Sequence, residues 1–278
     1  MGEQVAPVCP GGENMKTAVG LFPNIQKTSG VPKGYVSLEA EGRRAVVSEW
    51  AIGVVADVLA MGTLYEWAGG QANREEMRGR GAVYAVDLPT DPLTPVVVRR
   101  NSHGGLLRNL TGEFFLLPTR APRELEVTLR LTAAGIATPE VVAYGVYPVA
   151  GISARCDVMT RRLPTGGDAP ALWGMYDESG RERTIAAMGR LLTSLGGIGA
   201  YHGDLNLKNI YLAETDGELT AFLLDVDRVT FPGADAAHRN FTRLARSIRK
   251  WRNRWGLDFT EDALARLAAA TGENYRCE

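Results

Sequence analysis

Between residues 45 and 68 the apolar positions Val46, Val47, Trp50, Val54, Val55, Val58 and Leu59 recur at steps of three and four, which predicts an amphipathic helix. From Gly79 the pattern changes to short β-rich runs. Ala82–Val86 and Val96–Arg100 predict strands, joined by the turn-forming stretch Pro89-Thr-Asp-Pro-Leu-Thr-Pro95. A helix is expected next, with Pro122 near its start and Gly135 just past its end. Val141–Val149 and Ala154–Arg161 predict two further strands, and Pro164-Thr-Gly-Gly-Asp168 breaks the pattern as a hinge would. Beyond it come a helix over Arg183–Leu195 and a hairpin of Ile210–Leu212 and Leu219–Val226, turned at Asp216-Gly217. The last third is helical and basic. No repeat of fixed period is present, and residues 1–34, rich in Gly, Pro and polar types, read as a loose lead-in.

This order predicts a two-lobed α+β layout, not a repeating βαβ one. The expected division is a partly helical N-terminal extension (1–75), a β-rich lobe (76–162) and a helical lobe (163–278). With 278 residues, 45% hydrophobic and 23% charged, the chain is neither disordered, collagen-like nor a disulfide miniprotein. A net charge of −1 gives no global pull towards nucleic acid, so electrostatic recognition has to come from local clusters. Cys9, Cys156 and Cys277 are odd in number and far apart, as expected of reduced thiols in a cytosolic compartment. No apolar run reaches the ~18 residues of a membrane span, and the first residues lack a signal-peptide pattern. A soluble intracellular protein is expected.

Candidate chemistry is concentrated in His202-Gly-Asp204-Leu-Asn-Leu-Lys-Asn209, followed by Leu223-Leu-Asp225-Val-Asp227-Arg228. Two carboxylates and an amide flanking a tight hairpin suit phosphoryl transfer. Mg²⁺ takes hard oxygen ligands, so one carboxylate and one amide oxygen with nucleotide phosphates complete a site. A separate carboxylate accepts the proton of the attacking hydroxyl. The Asp-x-x-x-x-Asn spacing matches the kinase loop H-R-D-x-x-x-x-N. On that pattern Asp204 is the base, Asn209 and Asp225 are metal ligands, and His202 braces the loop.

Upstream, Gly79-Arg-Gly81 follows polar residues and runs into a strand. This argues against a dinucleotide site, which needs the reverse order, and for a β-turn-β flap over nucleotide phosphates. Arg99, on the second strand, stands where a kinase has its phosphate-pairing lysine, and Glu124, early in the next helix, is its expected partner. Arg239–Trp255 holds seven basic residues and no acidic one. On a helical projection Phe241, Leu244, Ile248, Trp251 and Trp255 share one side, with Arg243, Arg246, Arg249, Lys250 and Arg254 opposite. The apolar side is expected to dock on the core. Arg243, Arg246 and Lys250 then offer a stripe to an anionic membrane surface or a phosphorylated glycolipid, or form a solvated face. His103 and His238 are isolated and are assigned to no metal.

At these motifs the chain resembles the bacterial 3-deoxy-D-manno-octulosonic acid (Kdo) kinase family, within the lipopolysaccharide-core kinases and the protein-kinase-like fold. The resemblance spans roughly residues 78–254. It rests on Gly79-Arg-Gly81, Val98-Arg99, Gly104-Gly105-Leu106, Arg123-Glu124 and Ala133-Ala-Gly135-Ile-x-x-Pro139. It continues through Tyr201-His-Gly-Asp204-Leu-Asn-x-x-Asn209-Ile, Leu224-Asp225-Val-Asp227-Arg228 and Arg243-Leu-x-Arg246-Ser-Ile-x-Lys250. It implies a two-lobed kinase fold and transfer of the ATP γ-phosphate, with Mg²⁺, to a Kdo hydroxyl on a lipid A precursor at the cytoplasmic face of the inner membrane. It also implies that Arg99 contacts the nucleotide phosphates with Glu124 as its partner. Two alternatives stand beside it: a kinase of the same fold with another small acceptor or a protein acceptor, and a silent pseudokinase acting as an interaction module. Retention of Asp204, Asn209 and Asp225 speaks against the second.

Overall fold

The computed structural model describes residues 30–40, 42–77, 82–101, 115–116, 120–148 and 153–273. The first half is built on one antiparallel sheet. Its strands are β1 (Tyr35–Ala40), β2 (Arg43–Ser48), β3 (Glu75–Met77), β4 (Val83–Leu88), β5 (Thr94–Arg100), β6 (Phe115–Leu116), β7 (Val141–Pro148) and β8 (Ser153–Arg161). They lie in the order β1-β2-β7-β8-β5-β4-β3, with β6 paired to β8. Helices α1 (Ile52–Met61) and α2 (Leu64–Gly70) cover one face and α3 (Ala121–Ala133) contributes to the other. The alternation along β8 serves both. Cys156 and Val158 join Leu125 of α3, while Met159 joins Val55, Leu59 and Leu64 of the first two helices.

The helix expected over 45–68 is corrected here. Residues 43–48 are strand, inserted between β1 and β7 with Val46 opposite Tyr144. β-Branched Val46 and Val47 suit a pleated surface, and two neighbouring strands supply a full ladder that a three-residue spacing cannot reveal. The helical period holds over 52–61 and then stops. Thr63 and Glu66 form a capping box, each side chain accepting from the other's backbone N–H at 3.1 Å, and the chain turns 84° into α2. Residues 35–77 are therefore part of the N-lobe and not an extension outside it. Among the described residues no single helix is long and apolar enough to cross a membrane.

The other predicted strands and helices lie close to where the pattern placed them. The hairpin pairs β11 (Ile210–Thr215) with β12 (Glu218–Leu223). Its turn has positive φ at both Asp216 (52°) and Gly217 (81°), the two-residue geometry that follows strand twist. The expected hinge holds a short strand, β9 (Gly166–Asp168), paired with β11. The helical lobe comprises α4 (Ala169–Met175), α5 (Glu178–Gly197), α6 (Ala236–Trp255) and α7 (Glu261–Thr271). Their apolar faces, including Met188, Leu195, Leu244, Ile248 and Leu264, close over Ile210, Leu212 and Leu223 of the hairpin.

Gly166 shows how closely the hinge is held. A Cβ there would sit 2.0 Å from the carbonyl oxygen of Leu212, a backbone atom fixed in the ladder. Gly166→Ala is expected to cost about 1–3 kcal/mol, the scale of overpacking. Thermal denaturation checks this: an unchanged Tm would show that the two strands can separate without penalty.

Candidate active site

The floor of the site is the segment from β10 (Tyr201–His202) through the 3₁₀ turn Leu207–Asn209. His202, fully buried, joins three parts of it. Its backbone N–H donates to Asn240 Oδ1 of α6 (3.0 Å), its Nδ1 accepts from the Asp204 N–H (3.1 Å), and its Nε2 lies 3.0 Å from the Leu224 carbonyl oxygen. An Nδ1 that accepts must be unprotonated, so Nε2 carries the proton and donates to Leu224. The ring thus ties the Asp204 turn to the end of the strand leading to Asp225. Asn240 was not legible as a site residue. Besides receiving His202 it donates from Nδ2 to the Ala200 carbonyl at 2.7 Å, clamping the loop to α6. Ser247 adds a second clamp by accepting from the Leu207 N–H.

Burial lowers the His202 pKa below its ordinary 6.5, outweighing the pull of the Leu224 carbonyl, Asp225 and Asp204. Below about pH 6.5 the unfolded chain takes up a proton that the folded one refuses, so stability falls with pH from there towards the depressed folded value. For this group alone the slope cannot exceed about 1.4 kcal/mol per pH unit. Denaturant titrations between pH 5 and 7.5 should show this loss in the wild type and a flatter profile in His202→Gln. Identical profiles would remove the neutral-histidine brace.

The segments bearing the three residues named from the sequence are joined by hydrogen bonds to backbone atoms. Asn209 is buried and its Nδ2 donates to the Asp204 carbonyl at 2.8 Å. Its own carbonyl accepts from the Leu224 N–H at 2.9 Å, next to Asp225. Asp225 is in the left-handed region (φ 52°, ψ 45°) at the head of the 3₁₀ turn Val226–Arg228, with its side chain exposed. Asp204 is also exposed, at 51%. The test for Mg²⁺ is the donor chemistry. The Asn209 amide is oriented by its N–H, leaving Oδ1 as the available donor, and Asp225 supplies a carboxylate. Two hard oxygens with room for phosphate and water fit a magnesium ion. Among the described residues no group of three or more His, Cys, Asp or Glu forms a metal cage, so such an ion has to share its shell with a nucleotide.

The roof carries the predicted pair. Arg99 Nη2 meets Glu124 Oε1 at 2.5 Å, and Nη1 donates to Asn101 Oδ1. Burial opposes charge on this guanidinium, but Glu124, with Asp225 and Asp227, more than offsets it and holds its pKa above the ordinary arginine value. Helix α3 is also tied to the floor. Arg123 donates to the Val229 carbonyl at 2.9 Å and Arg120 pairs with Asp227 at 3.4 Å, so the helix bearing Glu124 and the turn after Asp225 move together. Between roof and floor lies a cleft of about 880 Å³, lined by Val97, Arg99, Glu124, Thr160, Leu163, Leu224 and Asp225. That is room for a nucleotide-sized ligand. Gly79, Gly81, His103 and Gly104-Gly105-Leu106 lie outside the described residues, as do Cys9 and Cys277. Cys156 is buried and unpaired by disulfide.

The basic helix differs from its projection. Phe241, Leu244 and Ile248 are buried as expected, but Trp255 is 51% exposed and stacks on Trp251. Arg249 and Arg252 are drawn to Glu261 of α7 (3.4 and 2.6 Å), so they do not belong to a free stripe. Arg243 turns towards the catalytic loop, with Nη2 at 3.5 Å from Asp204 Oδ1. Arg246 and Lys250 remain exposed. The acidic partners sit on other elements, beyond the reach of a one-helix projection.

The model of the lipopolysaccharide kinase (Kdo/WaaP) family matches residues 67–270. The 3-deoxy-D-manno-octulosonic acid kinase of Haemophilus influenzae (strain 86-028NP) is 29% identical over 199 residues, covering 69% of this chain and 82% of that protein. The enzyme of the same name from Actinobacillus succinogenes is 30% identical over 189 residues, covering 66% and 78%. Among solved structures, WaaP in complex with acyl carrier protein superposes with a TM-score of 0.52 at 15% identity, over 84% of this chain and 90% of that one, a likeness of fold. With its two-lobed architecture and its floor of Asp204, Asn209 and Asp225, this chain belongs to the lipopolysaccharide kinase (Kdo/WaaP) family, whose members are phosphotransferases with a hydroxyl as acceptor.

Proposed function

We propose that this protein transfers the γ-phosphoryl group of ATP to a hydroxyl of Kdo in a lipid A-type glycolipid. The observation that carries the reading is the hydrogen-bonded loop that ties the Asp204 turn and Asn209 to the strand end before Asp225, through His202 and Leu224, beside a cleft lined by Arg99, Glu124 and Asp225. Arg99, directed by Glu124, is placed to meet nucleotide phosphates as a fork of donors. The Asp204 carboxylate, half-exposed beyond the cleft, orients the incoming hydroxyl and takes its proton. Asn209 and Asp225 would hold Mg²⁺, which supplies neutralisation of phosphate charge.

The acceptor is lipid-borne, so the enzyme works at an anionic surface, peripheral to the cytoplasmic face of the inner membrane. Support comes from Lys250, exposed on α6, and from the exposed Trp255 beside Lys250 and Arg254. Aromatic and cationic side chains in that combination suit a headgroup interface.

Incubating the protein with ATP, Mg²⁺ and Kdo-bearing lipid A, followed by mass spectrometry, should show the glycolipid heavier by one phosphate. Transfer to another acceptor with none to this one would overturn the reading.

A further inference from the structure

Helix α6 carries seven basic side chains and no acid between Arg239 and Trp255, an arrangement whose mutual repulsion has to be offset somewhere. Glu261 accounts for Arg249 and Arg252. Lys250 and Arg254 lie over the Trp255 ring. The other three, Arg239, Arg243 and Arg246, are spaced i, i+4 and i+7 and are therefore on one side of the helix. These three line a separate cavity of about 200 Å³ with Tyr201, His238 and Thr242. Arg239 lies over the Tyr201 ring, 3.8 Å from its centroid. Arg243 touches Asp204. Arg246 has no acidic partner among the described residues. Asp204 contacts Arg243, and Glu273 is held by the lining His238 at 2.9 Å; three guanidinium groups around one small hollow outnumber these two carboxylates and form a seat for an oxyanion.

Position identifies the anion. The cleft is lined by Asp225, whereas the small cavity is lined by Tyr201, three residues before Asp204, and by Arg243, which contacts Asp204. A hydroxyl at Asp204 and an anion on Arg243 are separated by little more than one guanidinium. That suits an acidic group on the same sugar ring as the reacting hydroxyl, not a phosphate one or more residues away. We propose that Arg239, Arg243 and Arg246 form the acceptor subsite of this enzyme and bind the carboxylate of an acidic sugar. Tyr201 holds Arg239 in place by its ring, and Arg243 joins the bound carboxylate to the catalytic loop. The proposal rests on the kinase reading above and adds the means of acceptor recognition.

The test uses Arg239→Gln/Arg246→Gln in the full chain, leaving Arg243 and the floor intact. Losing two charged contacts should raise the acceptor KM roughly 10- to 100-fold while the KM for ATP and kcat at saturating acceptor stay within about threefold of wild type. Calorimetry with free Kdo and with its methyl ester separates this subsite from the reaction. Wild type should bind the acid at least tenfold more tightly than the ester, and the variant should bind the two alike. Should wild type phosphorylate no Kdo acceptor yet show that arginine-dependent preference, the kinase reading falls and the subsite stands. Equal acceptor KM in variant and wild type overturns the subsite. So does an unchanged preference for the acid, or an effect on KM that disappears only when lipid A phosphates are removed.

Discussion

Asp204→Asn is expected to lower kcat by about 10²- to 10⁴-fold, the range of a general base, with fold and nucleotide binding intact. The bonds that shape this turn leave from the backbone. The Asp204 N–H serves His202, and its carbonyl accepts from Asn206 (2.9 Å) and Asn209 (2.8 Å). Asparagine preserves all of them. The side chain is half-exposed and its partner Arg243 is 3.5 Å away, so little stability is at stake. Steady-state kinetics, alongside the rise in Tm on adding ATP and Mg²⁺, separate chemistry from binding. A kcat within threefold of wild type would dismiss Asp204 as the base, and loss of the ATP-induced shift would place it in nucleotide binding instead.

The second large effect is expected at the roof. Arg99→Met leaves Glu124, 9% exposed, as a nearly buried carboxylate without its cation. Removing one member of such a pair costs more than the pair contributes, because the remaining charge stays desolvated. Arg99 is itself a third exposed, so the lower end of the range applies, about 2–4 kcal/mol, or a fall in Tm of about 3–7 °C. The double change Arg99→Met/Glu124→Leu should recover most of that stability, since no buried charge is left. Affinity for ATP should stay depressed in both variants, because the phosphate contact is gone. Recovery of ATP affinity in the double variant would make the pair purely structural.

These two predictions meet in α3. The helix bearing Glu124 also grips the turn after Asp225 through Arg120 and Arg123. A shift of α3 therefore moves the Arg99 contact and the turn after Asp225 in one motion. The coupling runs through three side chains within little more than one turn at the start of α3, Arg120 at its N-cap and Arg123 and Glu124 just inside it.

Much of the site was legible because its parts are local in the chain. Asp204 and Asn209 are five residues apart on one loop, and Asp225 ends the hairpin that follows. The Arg99–Glu124 pair could be anticipated as a strand residue and a helix-start residue. The clamps were not legible. Asn240 is 38 residues from His202 and has no local pattern to distinguish it from any polar helix residue. It matters only because α6 crosses beneath the loop.

By itself the sequence determined the alternation of strands and helices after Gly79, the hairpin turn and which polar residues the loop brings near one another in the chain, since backbone preference and residue type act over a few positions. The tertiary structure decided what depends on neighbours distant in the chain. Val46 and Val47 became strand because β1 and β7 lay on either side. The α6 cations were divided among Glu261, Asp204 and a small hollow. The physical reason is the same in both cases: hydrogen-bond ladders and ion pairs select among locally permitted states, and only folding brings their partners within reach.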